Sequence, residues 1–376
     1  MIVVTTHDSL EPIKGGGAIR TRKLASELAK RGVEVLIVAP SIKSRIDGLK
    51  VLNLPVLNNR ASISAMLYYS FKFLYILVVN SKSISAVWAH NAASGSVAVF
   101  FGKIFGKKIV LDVTDIHSGY MKIEQSNFFK KKLIALIEEI EFSAFRNADK
   151  VIVATNYMKL VLQQKGVLEE NIRVIYDGVD AEVFREKHNQ KNSVPVIIHH
   201  GGMEKQDGVH LIIQAAKYLK TRGFRCRFVL AGGSFEKKKY YMKMALEYGV
   251  GDLVEFPDWM PFESLVELLR TSDIGIVSRT RNLPNDTVTT LKLFEYMSVG
   301  LIPVVPNLKG ITEVCIDGEN SLVFEADDAT SLAKAILQAA SSDECVSKIS
   351  LNARSKAKEF DWERQINQIA DETLNI

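Results

Sequence analysis

Short apolar runs alternate with longer amphipathic stretches along almost the whole chain, and this rhythm constrains the fold more than any other feature. "IVVTT" precedes a helical stretch from about Ala18 to Arg31, and "VEVLIVAP" follows; "SAVWAH" precedes "SGSVAVFFGKIFG", and "KIVLDV" follows. Such short apolar runs read as strands buried on both faces, and the longer segments as crossover helices. Repeated strand–helix–strand units build a parallel sheet with helices on both sides. The rhythm restarts with "VPVIIHH", a helix from about Gly208 to Arg222, "RCRFVLAGG", another helix, "LVEF" and "IGIVS". Between the two series Arg185–Ser193, "REKHNQKNS", holds no apolar residue and reads as a linker. At 376 residues the chain is too long for one comfortable core. The expected architecture is α/β, with two doubly wound, Rossmann-like domains facing a central cleft. Residues 1–185 form the first and 194–355 the second, and 356–376 form a helix packing back toward the first. Ligands of open α/β sheets bind at the carboxyl ends of the strands, so site residues are sought there.

Composition narrows the function classes. Forty-eight Lys and Arg against 43 Asp and Glu give a formal +5, too mild a balance to point to nucleic acid. The three cysteines, Cys226, Cys315 and Cys345, have neither an even count nor metal-ligand spacing, which fits free thiols in a reducing compartment. "MIVVTTHD" lacks the basic start of a secretory signal, so a cytoplasmic protein is expected. Residues 63–79, "ISAMLYYSFKFLYILVV", are apolar and aromatic apart from Lys72. The run is shorter than the ~20 apolar residues of a membrane span. It reads either as a core helix or as an interfacial helix at the inner face of the cell membrane. Lys103, Lys107, Lys108 and "FFKKK" (Phe128–Lys132) add positive charge in the same half of the chain, which suits anionic lipid.

Several strand ends carry candidate chemistry. Gly15, Gly16 and Gly17 sit between the first strand and its helix, where backbone N–H groups and a helix N-terminus favour phosphate. The spacing fails the dinucleotide fingerprint, because Arg20 stands where the third glycine belongs and "IVAP" supplies no acid for a ribose. "VLDVTDIHSGY" places Asp112, Thr114, Asp115 and His117 at a strand end, as turn residues or as groups that reach a substrate hydroxyl. No second His or Cys stands at metal-ligand spacing to them, so no metal is expected. Asp177-Gly178 is read as a structural turn. Gly201 and Gly202, followed by Lys205, and Gly232 with Gly233 repeat the strand–glycine–helix arrangement.

"TTLKLFEYMSVGLIPVVPN" is the most informative stretch. Asn285 and Asp286 offer caps ahead of a helix from about Thr290 to Val299, which Gly300 ends. Lys292 and Glu295 share one side of it. They form either a surface ion pair or a carboxylate for ribose hydroxyls beside a cation for phosphate.

With these motifs in this order, the chain resembles the retaining glycosyltransferases of family 4, which have the GT-B fold, over nearly its whole length. The resemblance runs through "KGGGAIRTRKLASELAKRGVEVLIVA", "WAHNAASG", "IRVIYDGVDAEVF", the stretch from "FVLAGGSFEKKK" to "IGIVS", and "KLFEYMSVGLIPVVPNLKGITEVCIDGENSLVF". It implies a nucleoside-diphosphate sugar held mainly by the second domain, an acceptor held mainly by the first, and no cofactor. Glu295 matches the glutamate that binds the ribose hydroxyls, with Lys292 near the diphosphate. Gly16 and Gly17 match the loop that closes over the donor phosphates, and Asp115 lies where the family often carries a cleft-facing acid; Asp115 and His117 are the candidate catalytic residues. Four positions depart from the family. Thr287 replaces the first glutamate of its Glu-x7-Glu, Gly202 an arginine, Asp207 a lysine and Thr114 a histidine. Lys292, Lys205, Arg279 or Arg281 are the cations available in compensation. The expected activity is transfer of a hexose to a hydroxyl of an oligosaccharide, polysaccharide precursor or lipid-linked acceptor. The alternatives are a nucleotide-sugar epimerase of similar fold and a nucleotide-binding protein on a decayed scaffold.

Overall fold

The computed structural model describes residues 1–11, 15–40, 45–54, 63–123, 128–185, 192–258, 260–341 and 344–376, with only the backbone at 63–67 and 344–346. Most of the expected linker, 186–191, lies outside the described residues. The chain divides into two compact units, Met1–Asp177 with Glu363–Ile376, and Gly178–Trp362. The handovers therefore fall at Asp177 and Trp362, beside the expected 185, 194 and 356.

The first unit holds β1 (Ile2–Thr5), β2 (Val35–Pro40), β3 (Arg45–Ile46), β4 (Leu49–Leu54), β5 (Ala86–His90), β6 (Lys108–Val113), β7 (Lys150–Val153) and β8 (Ile172–Val174). Their order is β3-β4-β2-β1-β5-β6-β7-β8, parallel throughout except for β3 against β4. Strands β1 and β5 are buried along their whole length, as crossover helices on both faces require. Right-handed crossovers carry the helices Ile63–Asn80, Asn91–Ile104 and Phe128–Asn147 onto one face, where they pack side by side. The strand order reverses between β1 and β5. Chain leaving these two ends diverges and opens a crevice.

In the second unit β9 (Val196–Gly201), β10 (Arg227–Gly232), β11 (Val254–Glu255), β12 (Ile274–Ile276), β13 (Ile302–Pro306) and β14 (Leu322–Phe324) form an all-parallel sheet ordered β11-β10-β9-β12-β13-β14. Its reversal lies between β9 and β12. The core packs Ile197, Phe228 and Ile274 of the sheet against Ile212, Leu219 and Ile336 of the helices. The expected helices from Gly208 and near Thr290 run Val209–Thr221 and Leu291–Val299, and Gly300 ends the latter in the left-handed region at φ 85°. The expected caps differ. Asn285 and Asp286 lie inside a separate turn, Leu283–Asp286, which Asn282 caps, and Thr290 stands at the N-cap of the following helix.

Cys226 and Cys315 are buried free thiols, both pushed up to about 12 by burial, which keeps them unreactive. No described helix is long and apolar enough to cross a membrane.

Candidate functional site

In the second unit the polar groups gather at the switch point between β9 and β12. Strand β9 ends in His199, His200 and Gly201, and the chain past β12 supplies Ser278 and Arg279. The first turn of Leu291–Val299 brings Lys292 and Glu295 to the same place. Lys292 is buried behind the glycine turn: a Cβ on Gly201, whose φ is 137°, would stand 2.9 Å from its Nζ. Burial drives the Lys292 ammonium below the usual lysine range, against the opposing pull of Asp207. Glu295 turns to His200, with Oε2 2.9 Å from Nε2 although the pair is not aligned as a hydrogen bond. Tyr296 positions that imidazole: its hydroxyl accepts from the His200 backbone N–H at 3.2 Å, and the two rings meet edge to face at 5.4 Å.

Asp207, which stands where the family has a lysine, is the hub of this cluster. Its Oδ2 accepts from the Glu204 N–H at 2.8 Å, and Arg279 Nε lies 3.9 Å from its Oδ1. Burial pushes its carboxyl up, but Lys292, Arg279 and His199 together hold it below the ordinary aspartate range. His199 is fully buried, with Nδ1 3.1 Å from the Ile276 carbonyl, and desolvation and Lys292 keep it neutral far below the usual histidine range. Two of the four cations expected to compensate are therefore here, Lys292 and Arg279. Arg281 is drawn away to Asn307 Oδ1 at 2.6 Å and to Glu325. Lys205 points to a groove of about 550 Å³ that Met203, Gln214 and Tyr240 also line.

The second-unit glycines have packing reasons of their own. A Cβ on Gly232 would stand 2.3 Å from the Gly201 carbonyl oxygen, and one on Gly233 would stand 2.9 Å from Met203 Sδ. Gly202 differs, because a Cβ there meets nothing closer than 3.8 Å, so space does not require a glycine at this position. Thr287 is buried, and its hydroxyl donates to the Pro284 carbonyl at 2.9 Å.

In the first unit a second cluster forms at the β1/β5 switch point. His90 ends β5, buried, with Nε2 3.1 Å from the Thr114 hydroxyl and Nδ1 3.4 Å from Asp8 Oδ2. Burial lowers its basicity, but Asp8 and Asp112 outweigh that and raise it above the ordinary histidine range. His7 stacks on His90 at 6.3 Å and meets His117 edge-on at 5.2 Å. Gly17 must be glycine, since a Cβ there would lie 2.2 Å from His90 Cε1 and 2.3 Å from Asp8 Oδ2. Gly16 opens the helix Gly16–Lys30. Asp115 accepts from the Tyr120 hydroxyl at 3.1 Å, while the Asn91 side chain takes the Thr114 and Asp115 N–H groups at 2.8 and 3.2 Å. Glu141 caps His117–Ile123 through the His117 and Ser118 N–H groups. His7, Asp8 and His90 carry ligand atoms within 4.8 Å of one another. Sequence reading passed over them because they come from two strand ends far apart in the chain.

Beneath this cluster Arg20, fully buried, donates from Nε to Asp112 Oδ2 at 2.6 Å and from Nη1 to Asp177 Oδ1 at 3.1 Å. It also takes the carbonyls of Ile175 and Tyr176 at 3.0 and 3.1 Å. The position that breaks the dinucleotide fingerprint is thus a tie between the first helix, β6 and the chain after β8. Asp177, read as a turn residue, is part of that tie.

Residues 14–183 match the family described as Glycosyltransferase Family 4, and residues 180–356 match Glycosyl transferases group 1. A glycosyltransferase assigned to colanic acid biosynthesis in Escherichia coli (strain K12) is 27% identical over 194 residues, which are 50% of this chain and 47% of that one. The chain thus spans about half the length of the first curated relatives it matches. A D-inositol 3-phosphate glycosyltransferase of Corynebacterium urealyticum is 22% identical over 95% of this chain and 90% of its own. Among solved structures, sucrose-phosphate synthase from Thermosynechococcus elongatus superposes with a TM-score of 0.82 at 17% identity, over 99% of this chain and 98% of its own. Anabaena HepE in complex with UDP-glucose does so with 0.77 at 17% identity, over 100% and 99%. The fold is that of the GT-B glycosyltransferases, and the chain belongs to the glycosyltransferases of group 1 and family 4.

Proposed function

We propose that the chain is a retaining, metal-independent glycosyltransferase that moves a hexose from a nucleoside-diphosphate sugar to a hydroxyl of an oligosaccharide, polysaccharide precursor or lipid-linked acceptor. The observation that carries this reading is the meeting of Lys292, Glu295 and Arg279 with the Gly201 turn at the switch point of the second unit. A partly exposed carboxylate such as Glu295 accepts both ribose hydroxyls, and Lys292 and Arg279 neutralise the diphosphate. The open backbone at Gly202 lets phosphate oxygens approach closely. Stabilising the departing diphosphate lowers the barrier most, because two fixed cations need no reorganisation as charge develops there. On the first unit Asp115 and His117 orient the acceptor hydroxyl and take its proton, while Gly16 and Gly17 keep the helix N-terminus open to the donor phosphates. The comparisons support the donor class by analogy, since HepE was solved with UDP-glucose.

The test is calorimetric titration with UDP, GDP and ADP, with and without Mg²⁺, beside Glu295→Ala, Glu295→Gln and Lys292→Ala. One diphosphate is expected to bind without Mg²⁺. Loss of the charge-assisted bonds of Glu295 should weaken it by roughly 10- to 150-fold. If none binds, the decayed-scaffold reading replaces this one. If one binds, and incubation with the matching nucleotide sugar but no acceptor yields that nucleotide sugar with an altered sugar, the epimerase reading does.

A further inference from the structure

The helices Ile63–Asn80, Asn91–Ile104 and Phe128–Asn147 lie side by side on one face of the first sheet. Each buries one side and leaves a second apolar side in the open. On Phe128–Asn147 the side chains of Ile134, Phe142 and Phe145 are buried. Phe129, Leu133, Leu136 and Ile140 recur at intervals of four, three and four, which is one straight stripe on the opposite side, and all four are exposed. Ile63–Asn80 repeats the arrangement. Phe73, Ile76 and Leu77 are buried, while Phe71, Tyr75 and Val78 stand outward, Phe71 with 70% of its surface exposed. Phe100 and Ile104 continue the apolar surface on the helix between them. Single exposed apolar residues are ordinary, but parallel stripes on three neighbouring helices form a patch of the kind that marks an interaction site.

The charge beside the stripes selects the occupant. Lys130, Lys131 and Lys132 are consecutive and exposed at the start of the third helix. Lys132 lies 5.0 Å over the Phe128 ring and Lys72 5.6 Å over the Tyr68 ring, cations laid along aromatic bodies as at a membrane–water boundary. The exposed acid nearby, Glu139, is already paired with Arg146. Aromatic and aliphatic side chains flanked by unburied lysines suit lipid headgroups better than a protein partner, which would have to desolvate three adjacent ammonium groups.

We propose that this three-helix face of the first unit is a docking surface for a bilayer containing anionic lipid. It seats the apolar stripes among the upper acyl chains and leaves the lysines at the headgroups. This extends the sequence-based expectation from residues 63–79 to the whole helical layer, and it does not depend on the proposed transfer activity.

The experiment is co-sedimentation with vesicles of phosphatidylcholine alone and with vesicles that also contain phosphatidylglycerol. It compares the unaltered chain, Phe71→Ser/Phe129→Ser/Leu136→Ser, and Lys130→Glu/Lys131→Glu/Lys132→Glu, with thermal melting as the check on folding. The unaltered chain should sediment with the anionic vesicles and much less with the neutral ones. Losing three lysines should lower partition on anionic vesicles by about a hundredfold. The serine variant should fail on both while melting as before. No binding of the unaltered chain to anionic vesicles, or binding that neither variant weakens, overturns the proposal. So does a dimer in vesicle-free solution that the serine variant makes monomeric, because the face would then be a contact between copies.

Discussion

Lys292 Nζ and the backbone of Gly201 occupy one another's space: a single methyl group on residue 201 would reach to 2.9 Å from the ammonium. Gly201 also holds φ at 137°, which L side chains rarely adopt. Gly201→Ala therefore meets two costs, backbone strain of about 1–3 kcal/mol and displacement of a buried cation. We expect a lower urea midpoint together with weakened diphosphate binding. A variant with unchanged midpoint and affinity would show that Lys292 yields freely and takes no part in the site.

Asp207 half-neutralises the cations meant for phosphate. With Lys292 and Arg279 positive and Asp207 and Glu295 negative, these four side chains carry no net charge beside the neutral His199. Asp207→Asn keeps the shape and the acceptor for the Glu204 N–H, yet removes one negative charge. Diphosphate affinity should rise by about tenfold, with a steeper dependence on salt, and stability should fall because a buried cation loses its partner. Titration of the variant at two salt concentrations decides it, and lower affinity would mean that Asp207 orients the cations rather than competing for them.

The two buried histidines give pH dependences of opposite sign. Native His199 stays neutral well below 6.5, so the unfolded chain binds the extra proton and stability is lost as pH falls below about 6.5. Native His90 is raised, so its contribution is complete below about 6.5 and disappears as pH rises through its folded value. Urea unfolding at about pH 5, 7 and 9 should show His199→Gln flattening the acid side and His90→Gln the alkaline side, each by up to ~1.4 kcal/mol per pH unit. Identical slopes in the two variants would contradict both assignments.

Arg20 and Asp112 are both without solvent contact, so removing either leaves the other buried without its nearest opposite charge, Arg20 keeping Asp177 and two carbonyls. Asp112→Ala should cost about 3–5 kcal/mol of stability in the first unit, whereas Arg20→Met with Asp112→Leu should cost much less. Equal losses in the single and double variants, measured by urea unfolding, would show that the tie to Asp177 and the two carbonyls carries the stability instead.

The central strands of both sheets were legible in the sequence, because a strand buried on two faces must be apolar throughout and the crossover that follows must be amphipathic. The elements β3, β4, β7, β8 and β14, each two to six residues long, were not read as strands. Gly300 was equally legible as a helix stop, since a left-handed residue there needs no knowledge of its neighbours. The outer stripe Phe129–Ile140 was hidden within a helix that is apolar on two sides, where spacing alone does not tell which side is buried.

The sequence alone determined the two α/β series, their central strands and the crossover helices between them, and the family to which the motifs belong, because local periodicity and turn chemistry act over a few residues. Only the tertiary structure decided that Asp207 stands with Lys292 and Arg279 while Arg281 does not, that Arg20 is a buried tie, and that His7, Asp8 and His90 meet. Those groupings arise where the strand order reverses, and side chains brought together there come from segments tens of residues apart. Coulomb energy and desolvation depend on distance and burial in space, neither of which is written in the spacing along a chain.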